Sequence, residues 1–180
     1  MEDLSLHILD IAENSISAGA RTVGIFVTED CAKDILSIEI RDDGVGMDPE
    51  VARRAVDPFY TTRKSRSVGL GLALLRGAAE AANGKLEIKS APGAGTTVKA
   101  KFQKSHIDTK PLGNMPETIA ALLAFDAAVD VCYTHVRDGR ELRFDTREIR
   151  RQLAGAALNS VEALTAIREY LSREEHALEH

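Results

Sequence analysis

Between residues 4 and 18, Leu4, Ile8, Leu9, Ile11, Ala12 and Ile16 recur at helical spacing. Asp3, His7, Asp10 and Asn14 gather on a narrow strip opposite, so the pattern predicts an amphipathic helix. Val23, Ile25 and Val27 then alternate with polar residues, as do Leu36, Ile38 and Ile40, predicting two strands. The second strand runs into Asp42-Asp43-Gly44-Val45-Gly46-Met47, and Pro49 suits the first turn of a short helix. Residues 57–68 are polar, basic and irregular. A helix is expected from Gly69 to Ala82, stopped by Asn83-Gly84. Leu86 and Ile88 mark a third strand, and a Pro-Gly-Ala-Gly turn leads to a fourth through Val98, Ala100 and Phe102.

Lys110 to Pro116 reads as a linker or sharp turn. Beyond it the pattern predicts a helix over 117–128, and strands near 130–136 and 141–144 joined by the hairpin signal Asp138-Gly139. Two closing helices are expected, with Asp145 and Glu148, and Asn159 and Glu162, as N-cap pairs. The alternation of helix and strand patterns gives an α/β class, with a helix-and-sheet domain completed near Lys104 and a small C-terminal α/β appendage. The expected division is a domain over 1–104, a linker over 105–116, an accessory or partner-docking region over 117–177, and a tag remnant at 178–180. Ile119, Leu122, Leu123, Leu164, Ile167 and Leu171 are expected to pack a satellite core or a dimer contact.

Composition narrows the function classes. A chain of 180 residues with 44% hydrophobic positions can bury a sizeable core. It lacks an apolar stretch of membrane-spanning length and a secretory leader pattern, so a cytoplasmic location is expected. Cys31 and Cys132 have no metal-binding spacing and are expected as free thiols. The net charge of −5 and the absence of tryptophan argue against nucleic acid as a partner.

Asp10 and Asn14, four apart, leave their helix in the same direction. Such an oxygen pair can hold a magnesium ion, or the carboxylate can accept a proton from an attacking group; a solvated polar face is the plainer alternative. Asp42, followed by Gly44 and Gly46, places a carboxylate where main chain can come close to a flat ligand. A carboxylate there would select adenine, which presents an amine where guanine presents a carbonyl. Gly69-Leu70-Gly71-Leu72 opens a helix after a loop bearing Arg63 and Lys64, an arrangement that favours phosphate. Gly93, Gly95 and Thr96 form a turn into the last strand of the domain. Each signal alone is an ordinary turn or helix junction; four of them in this order point to a nucleotide site.

In that order the motifs resemble the GHKL ATPase superfamily, which includes histidine kinases, anti-sigma-factor kinases, DNA gyrase and mismatch-repair ATPases. The resemblance covers residues 3–104. Asp10 to Asn14 is similar to the asparagine box, Asp42 to Gly46 to the first glycine box, and Asp57-Pro58-Phe59-Tyr60-Thr61-Thr62 to the phenylalanine box of sensor kinases. Gly69 to Leu72 is similar to the second glycine box, and Gly95-Thr96 to the glycine-threonine pair. The resemblance implies a Bergerat fold, an α+β sandwich with helices layered on one side of a mixed sheet, that binds ATP and Mg2+. Asn14 would hold the metal, Asp42 read the adenine amine beside Met47, and Thr96 support that contact through water. Residues 57–70 would form a lid, with Arg63, Lys64, Gly69, Leu70, Gly71 and Leu72 near the phosphates. Ser67 stands where the lid-end box usually has its first glycine. The chain begins at the asparagine-box helix, and none of its histidines has the setting of a sensor-kinase phosphoacceptor, so self-phosphorylation is not expected.

The leading expectation is a stand-alone kinase acting on a separate protein, with Asp10 as the catalytic residue. A nucleotide-dependent binding module and a slow ATPase are the alternatives. A protein partner is expected, and a homodimer is a further option.

Overall fold

The computed structural model describes residues 3–57, 70–153, 155 and 157–180. Helix α1 (Leu4–Ser17) leads into strands β1 (Thr22–Asp30) and β2 (Ile35–Asp42), followed by α2 (Pro49–Arg54) and α3 (Leu70–Ala81). Then come β3 (Lys85–Ser90), β4 (Thr96–Gln103), α4 (Met115–Phe125), β5 (Asp130–Arg137), β6 (Arg140–Asp145), α5 (Thr146–Gln152) and α6 (Val161–Glu179). The six strands form one sheet in the order β3-β4-β2-β1-β5-β6. All neighbours are antiparallel except β1 and β5, which run parallel. This is the mixed sheet layered with helices that the family resemblance implies.

Alternation along the strands decides which face is covered. Val23, Ile25 and Val27, then Leu36, Ile38 and Ile40, then Val98, Ala100 and Phe102 are all buried. Helices α1, α3, α4 and α6 pack over them, side by side. A slip of one residue in any pair would turn a whole apolar set towards solvent, so the register is strongly specified.

The C-terminal α/β segment does not build a sheet of its own. β5 pairs with β1 from Thr22↔Asp130 to Glu29↔Arg137, and α4 packs directly on α1. Ile119, Leu122, Leu123, Leu164, Ile167 and Leu171 therefore join the same core as Ile25 and Ile38, and so does Leu178. Residues 105–114 form a strap against α1. The Pro111 and Leu112 carbonyls accept from Leu4 N (3.0 Å) and Ser5 N (2.7 Å), satisfying first-turn amides that an α-helix leaves unpaired.

Local signals account for most boundaries. Asp138 and Gly139 both have positive φ, at 49° and 86°, as a two-residue type I′ hairpin requires. Asn114 caps α4 by accepting from Glu117 N, and the helix starts two residues earlier than the pattern predicts. Ser160 rather than Asn159 caps α6, through Ala163 N at 3.1 Å. Among the described residues no helix is long and apolar enough to cross a membrane.

One buried polar chain ties the last helix to the sheet. His135 on β5, with a side chain 4% exposed, lies 2.8 Å from Glu175 of α6 and 3.0 Å from Glu29 of β1. Glu175 also accepts from the Tyr133 hydroxyl, and Lys104 bridges to Glu29 at 2.8 Å. Burial by itself would lower the His135 pKa, but the two carboxylate bonds and their charges raise it from 6.5 to about 9. The same His135 bond is the main reason that Glu29 falls to about 2. A raised histidine contributes stability fully below its unfolded value and loses it as pH climbs through the folded value. Unfolding stability is therefore expected to decline between pH 6.5 and 9, by up to about 3 kcal/mol on a shared-bond reading. Urea titrations across that range check this, and His135→Gln should flatten the slope while lowering stability throughout.

Candidate functional site

The C-terminal half of α1, the loop after β2 and the start of β4 meet at one end of the sheet. Asp42, the last residue of β2, is held on both oxygens. The Ser15 hydroxyl donates to Oδ2 at 2.7 Å and the Gly44 amide to Oδ1 at 2.9 Å. Across the ladder Asp42 faces Thr96. Gly95 has φ of +74°, and a methyl group there would overlap the Asp42 carbonyl oxygen. Gly46 stands against the Ala91 carbonyl, so the glycine loop is fitted to the β3–β4 turn.

Ser90 is the hub of that junction. Its hydroxyl accepts from Met47 N at 2.8 Å and lies 2.9 Å from Thr96 Oγ1 and 3.0 Å from the Gly95 carbonyl. Asp43 has a different task, accepting from Arg21 N and Thr22 N at 2.8 and 2.9 Å to anchor the start of β1.

Asp10 and Asn14 are half-buried rather than displayed on a wet face. α1 ends beside the loop after β2, with Val45 N directed at the Ala18 carbonyl. α3 ends beside the far end of β4, where Gln103 N donates to Ala82 O. Because Asp42 pairs with Thr96 and Ile35 with Gln103, the two helices run in opposite directions. Their seam brings Asp10 Oδ2 so close to Gly71 that a Cβ on residue 71 would collide with it. Burial in this seam raises the Asp10 pKa above the usual carboxylate range. Burial, and then the charge of Asp10, raise Glu13 as well. Asn14 lies one turn beyond Asp10, and its neighbour Ser15 touches Asp42. The structure thus gathers Asp10, Asn14, Asp42, Gly44, Gly46, Met47, Gly71, Gly95 and Thr96 around one end of α1. Leu72 packs against the core and Leu70 is exposed. Arg63, Lys64, Gly69 and residues 58–62 of the phenylalanine box lie outside the described residues.

His7 is a correction. The helical wheel places it on the polar strip, yet it is fully buried, with Nδ1 making no hydrogen bond among the described residues and Nε2 3.5 Å from Lys110 Nζ. Burial, with Lys110 beside it, lowers its pKa to about 4. The strap over α1 covers a position that sequence periodicity leaves open. Ser15 and Ser90 are the site residues that sequence reasoning missed. Each had a signal: a hydroxyl at an inward-facing position of an apolar helix stripe or of an alternating strand.

Hard oxygen donors at Asp10 and Asn14 suit magnesium, which takes one or two protein ligands and keeps several waters. Among the described residues, the one cluster of three metal-ligand types is exposed on α6, at His176, Glu179 and His180, away from this site. An open groove of about 710 Å³ lies to the side, over β3, and Ser90 lines it as well as the junction.

Residues 2–106 match the family described as histidine kinase-, DNA gyrase B- and HSP90-like ATPases. The chain belongs to this family. Its sequence relatives include an NtrY-like sensor histidine kinase of Rickettsia conorii, 31% identical over 110 residues, covering 61% of this chain and 18% of that protein. Histidine protein kinase DivJ of Caulobacter vibrioides is 33% identical over 99 residues, covering 53% and 17% respectively. The chain therefore spans less than a fifth of the length of these kinases. Among solved structures, the N-terminal domain of a DNA repair protein aligns with TM-score 0.56 and 17% identity, over 79% of this chain and 52% of that one. The Aquifex aeolicus MutL ATPase domain complexed with ADP aligns with TM-score 0.50 and 15% identity, over 86% and 70%. These likenesses are of fold. They reach past the stretch 2–106, so part of the C-terminal segment shares in them. This GHKL-type ATP-binding domain is related to histidine kinases and to other ATPases of the family.

Proposed function

We propose that this ATPase domain binds ATP with magnesium and passes the γ-phosphoryl group to a separate protein in signal transduction. Asp42 accepts from the adenine amino group, its carboxylate already aimed by Ser15 and Gly44. Gly44, Gly46 and Met47 bring main chain beside the ring, and Thr96 supports the Asp42 contact through water. Gly69, Leu70, Gly71 and Leu72, with Arg63 and Lys64, hold the phosphates. A magnesium ion held by Asn14 would supply positive charge against the phosphate oxygens. Asp10 accepts the proton of the attacking hydroxyl or imidazole.

The observation that carries this reading is the Asp10 carboxylate in the α1–α3 seam, partly dehydrated and therefore more basic than a surface aspartate. General-base removal typically costs about 10²–10⁴ in rate. Incubation with γ-labelled ATP and cell extract should label a separate protein, and Asp10→Ala should lower that labelling at least about a hundredfold while changing ATP affinity little. Labelling that survives in Asp10→Ala would reject the role. Release of free phosphate without any labelled protein would favour hydrolysis instead.

A second reading has its own support. α1 carries Asp10 and Asn14, packs on α4, and donates first-turn amide hydrogen bonds to carbonyls of the 105–114 strap. Movement of α1 on nucleotide exchange would reach the C-terminal region directly, as a binding switch requires. Nucleotide-dependent capture of a partner without label would distinguish it.

A further inference from the structure

The groove over β3 is separate from the candidate nucleotide site. Arg76 and Glu80, which line it, lie five and nine residues after Gly71 on α3. At about 100° per residue that places them some 140–180° around the helix from the face against Asp10. The floor is apolar, from Ala52 of α2 and Leu86 and Ile88 of β3. The rim is basic: Arg53, Arg76, Lys85 and Lys89 stand against Glu80 alone. Arg76 is bridged to Glu80 and Lys85 to Glu87, whereas Arg53 and Lys89 make no ion pair among the described residues.

β3 is also the last strand of the sheet on this side. One row of its backbone N–H and C=O groups meets no neighbouring strand among the described residues, and such an edge is a template for strand addition. Side chains on β3 alternate, with Leu86, Ile88 and Ser90 half-buried towards the groove and Lys85, Glu87 and Lys89 exposed. An added strand would meet apolar surface at every second residue and, at the others, Lys85 and Lys89 with Glu87 between them, a row of net positive charge. Among the described residues, no strand of this chain pairs with that edge. Residues 58–69 include Arg63, Lys64 and Arg66 and no acidic residue. Acid-rich α6 packs on β6, five strands from β3, or about 24 Å at the usual strand spacing.

We propose that this groove docks an extended segment of a separate protein in which acidic and aliphatic residues alternate, added as a strand to β3. This deepens the partner-directed reading above by giving the partner a place to bind, but the docking does not require phosphotransfer. Ser90 lines the groove and hydrogen-bonds Met47 and Thr96, so the occupant would sit one side chain from the nucleotide site.

The test is titration of ¹⁵N-labelled protein with the blocked peptide Glu-Val-Glu-Leu-Glu-Val-Glu-Leu. Saturable shifts should concentrate in residues 85–90 and in α2, and R53E/K89E should weaken binding at least tenfold with its melting profile unchanged. Asp42→Asn should bind the peptide as wild type does, so failure of the nucleotide reading leaves this result intact. Equal binding of the lysine-for-glutamate peptide, unchanged affinity in R53E/K89E, or the same shifts from inorganic phosphate would each overturn the proposal. So would sedimentation showing the groove closed in a homodimer that R53E/K89E disrupts.

Discussion

Asp42→Asn is expected to remove measurable ATP binding while leaving the fold in place. The substitution exchanges one acceptor oxygen for an NH₂ group, which would face the donor amine of adenine. Losing a charge-assisted bond and leaving a donor unsatisfied together cost about 3 kcal/mol or more, on the order of a hundredfold or greater in Kd. The protein should tolerate it. The asparagine carbonyl can still accept from Gly44 N, and Ser15 Oγ can accept from the new amide group in place of donating. Calorimetric titration with ATP, alongside a thermal melt, separates the two effects. Wild-type affinity in the variant would remove Asp42 from the adenine role and the proposed ligand with it.

Gly95→Ala should have a large effect on stability. Its φ of +74° strains any L-residue, and the added methyl would overlap the Asp42 carbonyl oxygen. That oxygen belongs to the backbone of a paired strand, so it cannot swing aside as a side chain would. Strain and overlap together should cost about 3–5 kcal/mol, a large share of the 5–15 kcal/mol typical of a domain. Gly93 supplies the control. It has nearly the same φ, +75°, but nothing lies within 4 Å of its added Cβ. Gly93→Ala should therefore show only the strain, about 1–2 kcal/mol. Urea denaturation of the pair measures the difference. Equal, small losses would mean that the β3–β4 turn does not press on the end of β2.

Both expectations concern residues that the sequence already marked, and they show where its legibility stops. Asp42, Gly95 and Thr96 stood out as a motif. What the chain order could not reveal is that Asp42 and Thr96 are cross-strand partners, because β2 and β4 are joined through two helices and β3. Ser15 and Ser90 were passed over for the same reason: a hydroxyl gains significance from what lies opposite it. His7 was misplaced because a helical wheel knows only one helix, and the cover comes from a strap about a hundred residues away.

The periodicities of 3.6 and 2 residues determined the elements, the buried face of each strand and the glycine turns, since these depend on neighbours within a few positions. The order of motifs along residues 3–104 determined the family resemblance. Only the tertiary structure decided that β5 would lie parallel to β1 and make the C-terminal segment part of one sheet. Edge backbone on β1 presents the same hydrogen-bonding groups to any incoming strand, so its partner is chosen by how α4 packs on α1. Tertiary packing also decided that Asp10 would sit half-buried against Gly71. Burial and charge are sums over distant neighbours, and no local stretch of sequence contains them.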